Sequence, residues 1–354
     1  MNELTRQEVR HVIEGKGAAS RPPILFDFWI YSNVFGGDDA ERGAWLSRYP
    51  RDVDTVYLNF PDLLEAPEDD PDYRWTGVDR EKESGKGYDN RILIPEWDGA
   101  EAEAFFATFP DGDYSGLVPE KRAGGQYTLA YWWYMLFERH WSLRGMQNAL
   151  MDFYLYPDEV HRLYQKLTDF YMRVIERTCG ALGVDGFFTS DDMGTQHSAF
   201  FSVDIFREFF KPYYKQIIDK AHACGAHFWL HSCGNIEFLL PELIDVGLDV
   251  IHPIQKYTME ERRIAERFGD QICILSGFDV QQTIPYGALE EVRAEVRFMI
   301  DTYYRTDGRL MLTMGNGSTD DWRLESLEAL YDEAVRYGIR KTEKMGGESK
   351  RWSV

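Results

Sequence analysis

An imidazole and a thiol stand two positions apart at His231-Ser232-Cys233, between the apolar run Phe228-Trp229-Leu230 and the turn residues Gly234-Asn235. At the carboxyl end of a predicted strand, both side chains can point into one cavity and form half of a zinc site. Other residues able to do chemistry fall at matching places. Asp191, Asp192 and Gln196 follow the apolar run at 185–190, and His252 and Gln255 come with the run at 248–253. Asp279 follows 272–277, and Asn316 follows 309–314. One polar loop residue is ordinary, but five successive strand ends carrying Asp, His, Cys, Gln and Asn point to one shared mouth. We read Asp192 and Asp279 as the acid–base residues, and Gln196, Gln255, Asn316 and Trp29 as substrate contacts. His231 and Cys233 are the expected metal ligands. Asp191, Asp192 and Asp279 are equally of the type that caps helices, and the aromatic residues around Trp29 are of the type that packs cores.

These side chains need elements to hold them. Short apolar runs at 185–190, 226–231, 248–253, 272–277 and 309–314 alternate with helical periodicity at about 202–223, 235–246, 258–268, 287–305 and 323–342. Upstream, 22–30 and 53–60 read as strands, and 137–153 and 157–181 as helices. Apolar strands between amphipathic helices predict a parallel sheet covered on both faces. Seven or eight such units favour an α/β fold with a single (β/α)8 TIM-like barrel domain over an open doubly wound sheet. Functional residues of such a barrel lie just past its strand ends, where the polar residues fall here. The stretch 62–125, rich in Asp, Glu, Gly and Pro, breaks the rhythm and reads as an insertion with one strand-like piece at 91–97. The aromatic stripe from Tyr131 to Tyr134 reads as buried strand.

Composition bounds the function. A hydrophobic share of 44% and a charged share of 28% describe a soluble globular protein. No apolar run approaches the roughly 18 residues that a membrane span needs. The polar, helically spaced amino terminus lacks a secretory apolar region, which predicts a cytoplasmic location. A net charge of −21 argues against nucleic acid and anionic membranes as partners, and against a strongly polyanionic substrate. Four cysteines do not make a disulfide framework in a chain this long, and Cys179 and Cys224 read as structural residues on helices.

The segments DGFFTSDDMGTQ, FREFFKPYYKQIIDKAHACG, HSCGNIEFLLPELIDVGLDVIHPIQ and LSGFDVQQTIPYG cover most of residues 180–320 and resemble the uroporphyrinogen decarboxylase superfamily. That resemblance implies a distorted (β/α)8 barrel and one of two chemistries. One branch decarboxylates uroporphyrinogen without a cofactor, and the other resembles zinc-dependent methyltransferases that exchange a methyl group with a corrinoid. A substrate with many carboxylates needs clustered arginines. The segment FDFWIYSNVFGGDDAERG, where the decarboxylases carry them, has none before Arg42. The His-x-Cys motif is similar to that of the zinc-dependent branch, so the resemblance implies zinc on His231 and Cys233 and a corrinoid as co-substrate, carried by a corrinoid protein. The alternatives are a decarboxylase-type lyase, working through Asp27 or Asp192 with Arg21 or Arg51, and a non-catalytic corrinoid or tetrapyrrole binder. One departure stands out. The branch's third ligand is a cysteine after the last strand, where this chain reads Met314-Gly315-Asn316-Gly317-Ser318-Thr319-Asp320. Asp191, Asp192, His252 and Glu237 are the candidate replacements, with Cys273 less well placed inside a strand.

Overall fold

The computed structural model describes residues 2–58, 92–107, 109 and 125–349. Its centre is one parallel sheet of seven strands: β1 (Val53–Tyr57), β2 (Tyr127–Tyr131), β3 (Gly186–Ser190), β4 (His227–His231), β5 (Val250–His252), β6 (Cys273–Phe278) and β7 (Leu310–Met314). Spatial order equals chain order, and helices connect the strands. β3, β4, β5 and β7 are buried at every position. Only strands covered on both faces can be buried throughout. The sheet curls, and the arrangement is consistent with a TIM-like barrel.

The register does the positioning. Ser190 of β3 pairs with His231 of β4, and His231 with His252 of β5. Paired residues in neighbouring strands point to the same face. The three carboxyl ends therefore present a hydroxyl and two imidazoles in one row.

The segment expected as a strand at 22–30 is cut to a single bridge between Ile24 and Leu312, followed by a 3-10 turn at Asp27–Trp29. Leu25 N–H donates to the Leu312 carbonyl at 2.8 Å, and Leu312 N–H to the Pro23 carbonyl at 2.8 Å. Towards β1 no ladder follows, because Pro22 and Pro23 lack an N–H and the Ile24 N–H donates to the Asp52 carboxylate at 2.9 Å. The same carboxylate accepts from Leu4 N–H at 2.8 Å and from both terminal nitrogens of Arg21 at 2.6 and 2.8 Å. Arg21 and Asp52 are buried.

Other expectations are corrected by specific residues. The helix read at 202–223 is interrupted by a π turn at Phe206–Phe210 before continuing as Lys211–Ala223. Pro212 has no N–H to donate four residues back, which loosens the turn. The helix read at 137–153 is two, Phe137–Arg144 and Met146–Leu155, divided by Gly145 at φ 75°. The helix read at 235–246 shrinks to Leu240–Asp245, led by Pro241. The aromatic stripe ends its strand at Tyr131, and Tyr134 is 41% exposed at φ 64°. Residues 92–97 carry no strand. The insertion read at 62–125 lies mainly outside the described residues, whose part of it includes the helix Ala100–Ala107. No helix among the described residues is long and apolar enough to cross a membrane.

Candidate active site

The loops after β3 and β4 carry the metal-binding residue types, and they are locked together. Met193 N–H donates to Ser232 Oγ at 3.1 Å, and Asn235 N–H to the Thr195 carbonyl at 2.7 Å. Where the loops touch, glycine faces glycine: a Cβ on Gly194 would lie 2.7 Å from the Gly234 carbonyl carbon. A Cβ on Gly234, at φ 85°, would overlap the Gly194 backbone. This close approach brings Asp192 to Cys233, whose N–H donates to Asp192 Oδ1 at 2.7 Å.

His231 Nε2 lies 3.3 Å from Cys233 Sγ and 3.5 Å from Asp192 Oδ1, and one ligand atom from each residue falls within 4.8 Å of the others. Zinc bonds of roughly 2.0–2.3 Å place tetrahedral ligands about 3.3–3.8 Å apart. The spacings of His231 from Cys233 and from Asp192 fit that ion. The protein also fixes the tautomer. His252 Nε2 lies 2.9 Å from the Met314 carbonyl, which can only accept, so His252 is a donor there. Burial and the neighbouring His231 hold its pKa well below the usual histidine value, so its Nδ1 carries a lone pair. His231 Nδ1, 2.7 Å away, must then be the donor, which leaves the His231 Nε2 lone pair facing Cys233 and Asp192.

The environment is dry and acidic. The Trp29 ring stacks on His252 at 5.3 Å, and Trp133 meets His231 edge-on at 6.2 Å. Burial lowers the His231 pKa. Burial, then the Asp192 and Glu138 carboxylates, push the Cys233 thiol well above its usual value. A cation held among the three donors would reverse that preference for the neutral thiol. Glu138 is buried and accepts a short hydrogen bond from Ser190 Oγ. Its pKa is raised well above the usual range by burial first, then by Asp192 and Asp191.

The remaining sequence candidates separate cleanly. Asp191 is buried, accepts from the Glu138 N–H at 2.8 Å and the Tyr214 hydroxyl at 2.7 Å, and so anchors the helix after β2. Glu237 is held by Arg263 and Arg267, and Cys273 is buried within β6. Trp29 is 4% exposed and packs behind the histidines. Asp279 accepts from the N–H groups of Gln281, Gln282 and Thr283 at 3.0–3.3 Å, which commits it to the turn that follows β6. Cys233, Gln196, Gln255, Asn316 and Asp279 line one cavity of about 500 Å3. Sequence reasoning missed Glu138, which reaches the site from a helix with no motif of its own, and Lys256, which also lines the cavity. A carboxylate seven residues past the end of β2 and a lysine beside Gln255 were the available signals.

Comparison with solved structures gives distant likenesses. A methyltransferase from Methanosarcina mazei is 17% identical with a TM-score of 0.49, the match covering 61% of this chain and 60% of that one. An intracellular xylanase from Thermoanaerobacterium saccharolyticum is 10% identical with a TM-score of 0.42, covering 85% and 87%. This chain thus spans about three-fifths of the methyltransferase's length. No curated protein matches. The pattern that defines uroporphyrinogen decarboxylase (URO-D) matches residues 134–337, more than half of the chain. These residues hold β3 to β7 with all three metal-type donors, and the chain belongs to the uroporphyrinogen decarboxylase family.

Proposed function

We propose that this chain is a methyltransferase that moves a methyl group between a small substrate and a corrinoid presented by a partner protein, with zinc held by Asp192, His231 and Cys233. The convergence of these three donors beside a cavity of about 500 Å3 carries the reading. When bound, zinc supplies Lewis acidity, polarising the atom that bears the methyl group and lowering the pKa of a coordinated thiol or hydroxyl. The third donor is a carboxylate from the β3 loop where the zinc-dependent branch has a cysteine after the last strand. A harder donor set favours an oxygen- or nitrogen-linked methyl group. His231 offers a neutral nitrogen whose direction is fixed by His252. A departing alkoxide or amine needs a proton, and we assign that role to Glu138, whose pKa is raised well above the usual range by burial and then by Asp192. The cavity suits a small molecule, so a corrinoid has to approach at the open mouth.

Both arginines named for the decarboxylase reading are already engaged. Arg21 is closed on Asp52, and Arg51 pairs with Asp27 and Asp54. The methyltransferase reading is tested by elemental analysis and turnover together. Purified protein is expected to hold about one zinc ion and to methylate cob(I)alamin from an O- or N-methylated donor. His231→Ala, Cys233→Ala and Asp192→Ala should each lose metal and activity. Protein that transfers methyl groups with no metal bound would sink the mechanism.

A further inference from the structure

The Gln196 and Gln281 amides line the cavity and can turn either way, whereas three other groups on its wall are fixed as donors. Gln255 Oε1 accepts from Gly234 N–H at 2.6 Å, which turns its amide nitrogen outward as a donor. Asn316 Oδ1 accepts from Gly317 N–H at 2.7 Å, with the same result. The Asp279 carboxylate is consumed by backbone N–H groups, the Thr283 hydroxyl and the Tyr257 hydroxyl. Lys256 is the cation on the cavity wall. Its ammonium group gives one proton to Glu295 Oε2 at 2.8 Å, and Glu295 is already filled by Asp279 N–H at 3.1 Å and the Thr283 hydroxyl at 2.8 Å. Among the described residues the Lys256 ammonium has no other hydrogen-bond partner, and neither has the amide nitrogen of Gln255 or Asn316. Burial opposes the lysine's charge, but Glu295 more than offsets this and raises its pKa.

The fixed donors, two amide nitrogens and one ammonium, suit an acceptor-rich ligand with a negative charge. We infer that the substrate of this site carries a single carboxylate, held by Lys256 with the amides of Gln255 and Asn316, in the same cavity that Cys233 borders. The inference rests on the reading of that cavity as the substrate site. One ammonium matches one carboxylate, and a polyacid would leave its other carboxylates without a cation on this wall. The protein's overall charge of −21 does not forbid a monoanion, because salt screens exposed charges beyond about 8 Å while the lysine acts at contact. The substrate class is then a small methylated carboxylic acid.

Matched acids and amides test this by calorimetric binding: methoxyacetate against methoxyacetamide, and 4-methoxybenzoate against 4-methoxybenzamide. At least one acid is expected to bind about tenfold or more tightly than its amide, and Lys256→Met should abolish the difference. Because that change strands the buried Glu295, Lys256→Met combined with Glu295→Gln is made as well, with circular dichroism to check the fold. Equal binding of acids and amides, no binding of any acid, or a preference that survives in the double variant would overturn the inference. A failure of the methyltransferase reading is distinguishable, since it would leave the acid-over-amide preference in place in protein without zinc or turnover.

Discussion

His252 is fully buried, yet it sets which nitrogen of His231 is free. Its own orientation comes from a backbone carbonyl at the end of β7, to which it donates at 2.9 Å. His252→Phe keeps a ring for Trp29 to stack on and removes the acceptor for His231 Nδ1. Zinc affinity is expected to fall about 10–100-fold, read by competition with a chelating indicator, while far-ultraviolet circular dichroism stays unchanged. At this scale the sequence was half legible. His231 and Cys233 stand in one local motif and could be read directly. Asp192 was one of several open candidates, and the choice among them is made by contacts outside the motif. Asp191, its neighbour, looks identical in sequence and is spent on the helix after β2. The Met314 carbonyl has no side-chain signature at all.

Among elements, the lock between the β3 and β4 loops is what turns neighbouring strands into a donor set. Gly234→Ala adds a methyl group where the Gly194 backbone sits and at a φ that L residues rarely adopt. We expect a loss of about 1–3 kcal/mol in unfolding free energy and a larger proportional loss of zinc affinity than of stability, measured by denaturant unfolding and metal titration on the same protein. The five downstream strands were legible because a short, continuous apolar run between amphipathic helices suits a buried parallel strand and little else. Their observed bounds differ from those read by a residue or two. The amino-terminal elements were harder. Segment 22–30 has the composition of a strand, but two prolines and a side-chain acceptor remove its ladder partners. β2 begins at Tyr127, ahead of the aromatic stripe that drew attention to it.

For the molecule as a whole, Asp52 joins the amino-terminal segment, Arg21 and the start of β1 in a site without solvent. Asp52→Asn leaves the Arg21 charge buried without its counter-ion. A loss of about 3–5 kcal/mol is expected, seen as a lower urea midpoint, whereas replacing Arg21 and Asp52 together by Met and Leu should cost much less. The same cluster bears on how the chain is made. Leu25 hydrogen-bonds Leu312, so the two sides of this seam leave the ribosome roughly 15–60 s apart at ordinary elongation rates. Asp52, Arg21 and Ile24 emerge almost together. The ion pair can therefore hold the first edge in its final shape, shielded from pairing with other nascent chains, until the last strand arrives to close against it.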